Sequence, residues 1–254
     1  MYKGYNLSLN DVDFVEFYSS GKSYLENFKK NVEEELDKYI NEEGDGSISG
    51  TQLQGNWFPE IDAHIFLSHS HADLDKAIAL AGWLKQSFGL KTFIDSCVWG
   101  YADDLLKKLD NKYCRQDDGF YNYELRNHST SHVHMMLSTA LIKMIDKTEC
   151  VMFLNTPNSI ESKNVVQQTS SPWIFLELAM TDLIRKSKPD RPEKKFFAEK
   201  SMTVYYDAPT EHLDNLVKRD LESWLDNFKR YPMDNALDNL YYMKNLMKNL
   251  IKND

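Results

Sequence analysis

Glu177 is the residue whose setting most needs a chemical explanation. In the stretch Ser171-Pro172-Trp173-Ile174-Phe175-Leu176-Glu177-Leu178-Ala179-Met180, Ser171 has the chemistry of a helix N-cap and Pro172 suits a first helical position. Trp173, Leu176, Met180 and Ile184 then recur at helical spacing, and Glu177 falls four residues after Trp173 in the same apolar stripe. Burying an ionised carboxylate is costly unless it is paired or hydrogen-bonded, and burial raises its pKa. Two readings follow. Glu177 sits at the rim of the stripe on a structural donor, or it lies near the helix start beside a cleft that Trp173 walls on one side.

Other groups invite weaker readings. His128 and His132 are spaced i, i+4, with His134 beside them, but no acidic motif or cysteine pair accompanies them, so no metal site is expected. Asp103 and Asp104 read as a helix N-terminal pair favoured by the dipole. His64 precedes a strand core and reads as structural. The cysteines, Cys97, Cys114 and Cys150, are odd in number and form no CxxC pair, which argues against a disulfide scaffold or a structural zinc.

The elements that must position Glu177 can be read along the chain. Residues 10–41 carry helical stripes, and residues 42–56 are rich in Gly, Ser and acid, as in a linker. His64-Ile65-Phe66-Leu67 is a compact apolar run ending in Ser68-His69-Ser70, a buried strand by pattern. Asp73 is placed to cap a helix bearing Ala77, Leu80, Ala81, Leu84 and Phe88, which Gly89 stops. Strands follow at residues 91–95, 150–154 and 202–206. Between them lie a helix entry at 95–109, an insertion at 110–130 and a helix at 133–145. The tail is helical. Strand–helix–strand order favours a parallel sheet with right-handed crossovers.

The expected organisation is a helical extension and linker over residues 1–56, an α/β domain over 57–210, and C-terminal helices over 211–254 packed on it. In such a sheet ligands bind beyond the carboxyl ends of the strands, where Ser68-His69-Ser70, residues 95–101 and residues 155–159 should meet.

The chain has 254 residues and a net charge of −9, with 42% apolar and 27% charged residues. That balance supports a real core and argues against nucleic-acid or anionic-membrane partners, which need a basic face. No basic region followed by an apolar run opens the sequence, and no apolar run is long enough to span a bilayer. A cytoplasmic protein is expected.

HIFLSHSHAD, LKTFIDSCVWG, ECVMFLNTPNS and SPWIFLEL, in that order, resemble the successive boxes of a TIR (Toll/interleukin-1 receptor) domain. The resemblance covers roughly residues 60–210 and implies a flavodoxin-like open parallel sheet flanked by helices, here with added terminal helices. The family's Trp-x-x-x-Glu is matched by Trp173 and Glu177. Its usual Ser-x-Trp-Cys reads Ser171-Pro172-Trp173-Ile174, without the cysteine, and residues 110–130 interrupt its third-box region.

Many TIR domains outside animal receptors cleave NAD⁺ with that glutamate. The resemblance therefore implies Glu177 as the catalytic residue and Trp173 as its pocket wall. It implies Ser68, His69, Ser70, Asp95 and Trp99 as substrate contacts, with His69 near phosphate or ribose. Trp99 would stack on a ring, or serve as an exposed assembly contact of the BB-like loop. NAD⁺ is then substrate, and no cofactor is needed. Breaking the nicotinamide–ribose bond builds positive charge on the sugar, which a carboxylate in a dry cleft stabilises, and nicotinamide leaves as a neutral base. Capture by water, by the ligand's own adenine or by another nucleophile gives ADP-ribose, a cyclic isomer or a conjugate.

The pattern is also similar to the TIR component of the Thoeris antiphage system, whose nucleotide messenger reaches a separate effector. The alternative is a non-catalytic TIR scaffold that self-associates through its BB-like loop. A phosphorylated-aspartate receiver would need acids where Ser68-His69-Ser70 and Asn155 stand. A nucleoside deoxyribosyltransferase-like enzyme on a related fold would also use a glutamate.

Overall fold

The computed structural model describes residues 1–10, 13–26, 49–99, 102–163, 166–169, 171–189, 212–233 and 235–251. A sheet of five parallel strands forms its centre: β1 (Lys3–Ser8), β2 (Ile65–Ser68), β3 (Thr92–Phe93), β4 (Cys150–Leu154) and β7 (Asp214–Val217), in the order β3-β2-β4-β1-β7. A separate antiparallel pair, β5 (Glu161–Lys163) and β6 (Val166–Gln168), follows β4. The helices are α1 (described over residues 18–26), α2 (Gly50–Trp57), α3 (Leu74–Phe88), α4 (Asp95–Val98), α5 (Ala102–Leu109), α6 (Tyr123–Lys147), α7 (Pro172–Leu183), α8 (Lys218–Arg230) and α9 (Ala236–Ile251). An open parallel α/β sheet flanked by helices is thus the architecture.

The sheet is sandwiched because its strands are apolar on both faces, as parallel sheets require. Tyr5 and Leu7 of β1 are fully buried, and Tyr241 of α9 stacks on Tyr5 at 6.4 Å. α8 joins that layer. Its Trp224 lies 3.9 Å from Phe88 and 6.2 Å from Trp83 of α3, and its indole N–H donates to Ala236 O at 3.0 Å. On the opposite face α6 packs beside α7, α5 and α2. There Leu213 presses on Gly4: a Cβ at that position would lie 2.5 Å from the tip of the leucine side chain, which would have to move aside.

Several expectations need correction. Residues 1–56 are not an appendage, because β1 fills the slot between β4 and β7. The end of the stretch read as linker, residues 50–56, instead lies in α2, where Ser49 caps by accepting from Gln52 N and Leu53 and Trp57 are buried. The segment 211–254 contributes β7 to the sheet before its helices. The strand expected at 202–206 and the helical stripe from Phe28 to Tyr39 lie outside the described residues. The insertion is shorter than expected. A π-helical turn (Asp110–Cys114) and a bridge between Arg115 and Tyr121 lead into α6, which Asn122 caps at 3.1 Å to Leu125 N.

Candidate active site

From β2 the chain leaves through α3 to β3 at one edge, whereas from β4 it leaves through α7 towards β7 at the other. The exits of β2 and β4 therefore diverge, and the crevice between them is the topological switch point, where open α/β sheets bind ligands.

Glu177 reaches this place by helix geometry. Ser171 accepts from Ile174 N at 3.3 Å and Pro172 opens α7 as its first residue, which fixes where the helix begins. Ile174, Glu177, Leu178 and Thr181, spaced i, i+3, i+4 and i+7, are the buried positions. Trp173, Leu176, Met180 and Ile184 are half-buried on the main core, while Ile174 and Leu178 join Phe153, Ile160 and Leu213 in a smaller cluster. Glu177 lies on the face between these clusters and is 5% exposed.

Its partner comes from β2. Ser68, Phe153 and Asn6 are register partners across β2, β4 and β1, so their side chains share the α7 face. There the Ser68 hydroxyl donates to Glu177 Oε2. Among the described residues no lysine, arginine or histidine forms an ion pair with Glu177. Burial, and then the nearby charge of Asp95, push its pKa up to about 8; the Ser68 hydrogen bond pulls the other way.

Asp95 is the half-buried first residue of α4, at the exit of β3. Its charge also acts on His69, the residue after Ser68. His69 is 7% exposed, its Nε2 meets the Ser96 hydroxyl at 3.3 Å, and its Nδ1 is buried. Burial lowers its pKa against the raising effect of Asp95, which favours the neutral ring. The His71 ring lies parallel at 6.3 Å.

Glu177, Ser68, Asp95 and His69 therefore gather over the tips of β2 and β3. Ser70 leads the following 3-10 turn and its hydroxyl makes no capping bond. Trp173 is half-buried one turn before Glu177, edge-on to His134 at 5.5 Å, so it closes the α6 side of α7. Trp99 departs from both expected roles. It is 2% exposed, packed on Phe58 and Phe93, and its indole donates to Pro59 O at 2.9 Å. Its ring faces are occupied by packing, leaving no face to stack on a ligand and no surface for assembly.

Asp73 is the other correction. It occupies the residue before α3, but its side chain does not cap that helix. Instead it accepts from Thr156 Oγ1 at 2.5 Å, Asn158 Nδ2 at 3.0 Å and Lys76 Nζ at 3.0 Å. Burial alone would raise its pKa, but these three donors outweigh it and hold the carboxyl below its usual range. The capping position hid this role, since the donors that decide it lie more than 80 residues away in sequence.

Among the described residues no group of three or more His, Cys, Asp or Glu is placed to hold a metal, and no helix is long and apolar enough to cross a membrane. No protein-family model, no curated protein and no solved structure matches the chain.

Proposed function

We propose that the chain is a TIR-type enzyme that breaks the nicotinamide–ribose bond of NAD⁺, with Glu177 as its catalytic residue. One observation carries the reading: a buried carboxylate at the switch point, held by one hydroxyl and by no cation among the described residues. A structural acid is normally paired or multiply hydrogen-bonded; Glu177 is left to find its counter-charge elsewhere.

The electrostatics suit that substrate. At neutral pH the resting carboxyl is largely protonated. The nicotinamide ring of NAD⁺ is cationic, so its arrival favours the carboxylate and releases a proton. As the bond to the ribose lengthens, the positive charge moves onto the sugar, and the carboxylate stabilises it in a site with little water to compete. Asp95 adds negative potential. His69, neutral and close by, is available to a substrate hydroxyl. The product is an ADP-ribose-derived nucleotide, linear or cyclic, acting as a diffusible signal to a separate effector in antiphage immunity. The signalling role rests on the box resemblance, and the chemistry rests on the site.

Purified protein incubated with NAD⁺, with phage lysate as an added cue, should release nicotinamide, and Glu177→Gln should lower that rate by about 100-fold or more. A folded Glu177→Gln variant that kept the wild-type rate would sink the mechanism. Mass spectrometry of the products from NAD⁺ and from deoxynucleosides separates this reading from transfer of a deoxyribosyl group.

A further inference from the structure

The turn after β4 is held by a residue of the β2 exit. Thr156 N donates to Ser159 Oγ at 2.9 Å, Ser159 N returns to Thr156 O at 3.0 Å, and the Ser159 hydroxyl reaches Leu154 O at 3.0 Å. These bonds shape the turn but do not fix its distance from β2. Asp73 bridges the turn to the β2 exit beyond the strand pairing: it takes the Thr156 hydroxyl on one carboxylate oxygen and the Asn158 amide on the other. Asp73, Thr156 and Ser159 are all less than 5% exposed, so water does not compete for the Thr156 bond, whereas Asn158 is exposed and its bond is the weaker of the two. Lys76 neutralises the carboxylate from the α3 side.

By the topological rule, the two exits that Asp73 ties together flank the place where a ligand reaching Glu177 and Ser68 would bind. We infer that Asp73 is a positioning residue: by holding Thr156 and Asn158 it fixes residues 155–159 as the wall that a ligand at Glu177 rests against. The inference rests on the NAD⁺-cleaving reading for its substrate, but the clamp itself stands on geometry. A wall that is held before the ligand arrives costs no ordering on binding, so its loss weakens binding more than it slows the bond-breaking step.

The test is initial-rate kinetics of nicotinamide release from NAD⁺ by the full chain, with melting curves as a fold control. Asp73→Asn and Thr156→Val should each raise KM on the order of tenfold while kcat stays within about threefold. The double variant should be no worse than the poorer single, since both weaken the same Asp73–Thr156 contact, and Thr156→Ser should restore the wild-type KM. If Asp73→Asn fails to fold, Thr156→Val, which leaves the acid in place, carries the test. Wild-type KM in the folded variants, or additive effects in the double, overturns the inference and leaves the functional reading intact. If the wild type releases no nicotinamide, that reading fails, and the clamp is judged by amide hydrogen exchange. Faster exchange over residues 155–160 in Asp73→Asn, without change in α7, supports it; unchanged exchange overturns it.

Discussion

Asp73 and Glu177 are two acids at the same edge of the same sheet, 2% and 5% exposed, and the fold treats them oppositely. Asp73 receives three donors, two of them from the neighbouring strand exit, and its carboxyl is held below the usual range. Glu177 receives one hydroxyl and sits near a like charge, and its carboxyl rises to about 8. Both are shielded from water, but Glu177 lies deeper, and burial is the largest influence on it. The donors that outweigh burial at Asp73 are missing at Glu177. Asp110 confirms the rule from a third place: Ser129 at 2.6 Å, Arg126 at 2.9 Å and Cys114 outweigh its burial and keep it low. Two of these buried acids are satisfied and the third has one hydroxyl among the described residues, which is the opening the proposed substrate would fill.

The largest consequence is on stability. Glu177 has a folded pKa of about 8 against an ordinary 4.5, so between these values the folded chain keeps a proton that the unfolded chain has lost. Stability should therefore fall as pH rises from about 4.5 to about 8, by on the order of 5 kcal/mol. Glu177→Gln lacks this fall. In urea melts it should match the wild type near pH 4 and exceed it above pH 8. Asp73 has the opposite sign: its contribution is present above the ordinary aspartate pKa and is lost as pH drops through its lowered value. A wild-type–to–Gln stability gap that did not change with pH would erase the contrast between the two acids.

The second consequence is on rate. In the proposed mechanism the ionised carboxyl is the working form, so kcat/KM for nicotinamide release should climb about tenfold per pH unit below pH 8 and level above it, since this ratio reports the free enzyme. The kcat profile should turn over at lower pH, because bound cationic substrate favours the carboxylate. A flat kcat/KM between pH 6 and 8 would mean that Glu177 is already ionised at rest.

How much of this could be read from the chain follows from how local each signal is. β2, α3, β4 and α7 are marked by their own residues: apolar runs at Ile65–Ser68 and Cys150–Leu154, a left-handed Gly89 at φ 71° ending α3, and Ser171-Pro172 opening α7. β1 carries only Tyr5 and Leu7 as strong apolar residues. Its Gly4 and Asn6 make sense only beside Leu213 and Asn215, some 209 residues away. β7 shows a single buried residue, Leu216. α2 is masked by Gly50 and Gly55 and exists through its contacts with α6. At the site, the oddity of Glu177 was legible from spacing. Its place on the more buried Ile174–Leu178–Thr181 face, its bond to Ser68 109 residues away, and the burial of Trp99 were not, because each depends on a long-range neighbour.

Asp73→Ala sharpens the comparison from the other side. It removes the acceptor of the buried Thr156 hydroxyl, while the exposed Asn158 amide and the partly exposed Lys76 can turn to water. A loss of about 1–2 kcal/mol in urea melts at pH 7 is expected, with the pH dependence that belongs to Glu177 unchanged. A loss under about 0.5 kcal/mol would place Asp73 among weakly coupled surface acids.

Ser68→Ala gives the smallest effect and the finest discrimination. The hydroxyl is the one group that lowers the Glu177 pKa, so its removal drives the carboxyl further up. At pH 7 a smaller fraction is then ionised, and nicotinamide release should drop on the order of tenfold, as expected for a hydrogen bond to a charged group. If Ser68 acts through Glu177 alone, the deficit closes as pH rises past the new pKa, and the rising limb of kcat/KM moves to higher pH. If its hydroxyl also holds the substrate, the deficit persists at high pH with a raised KM. The two outcomes separate a residue that tunes the acid from one that touches the ligand, because protonation can be titrated away and a missing contact cannot.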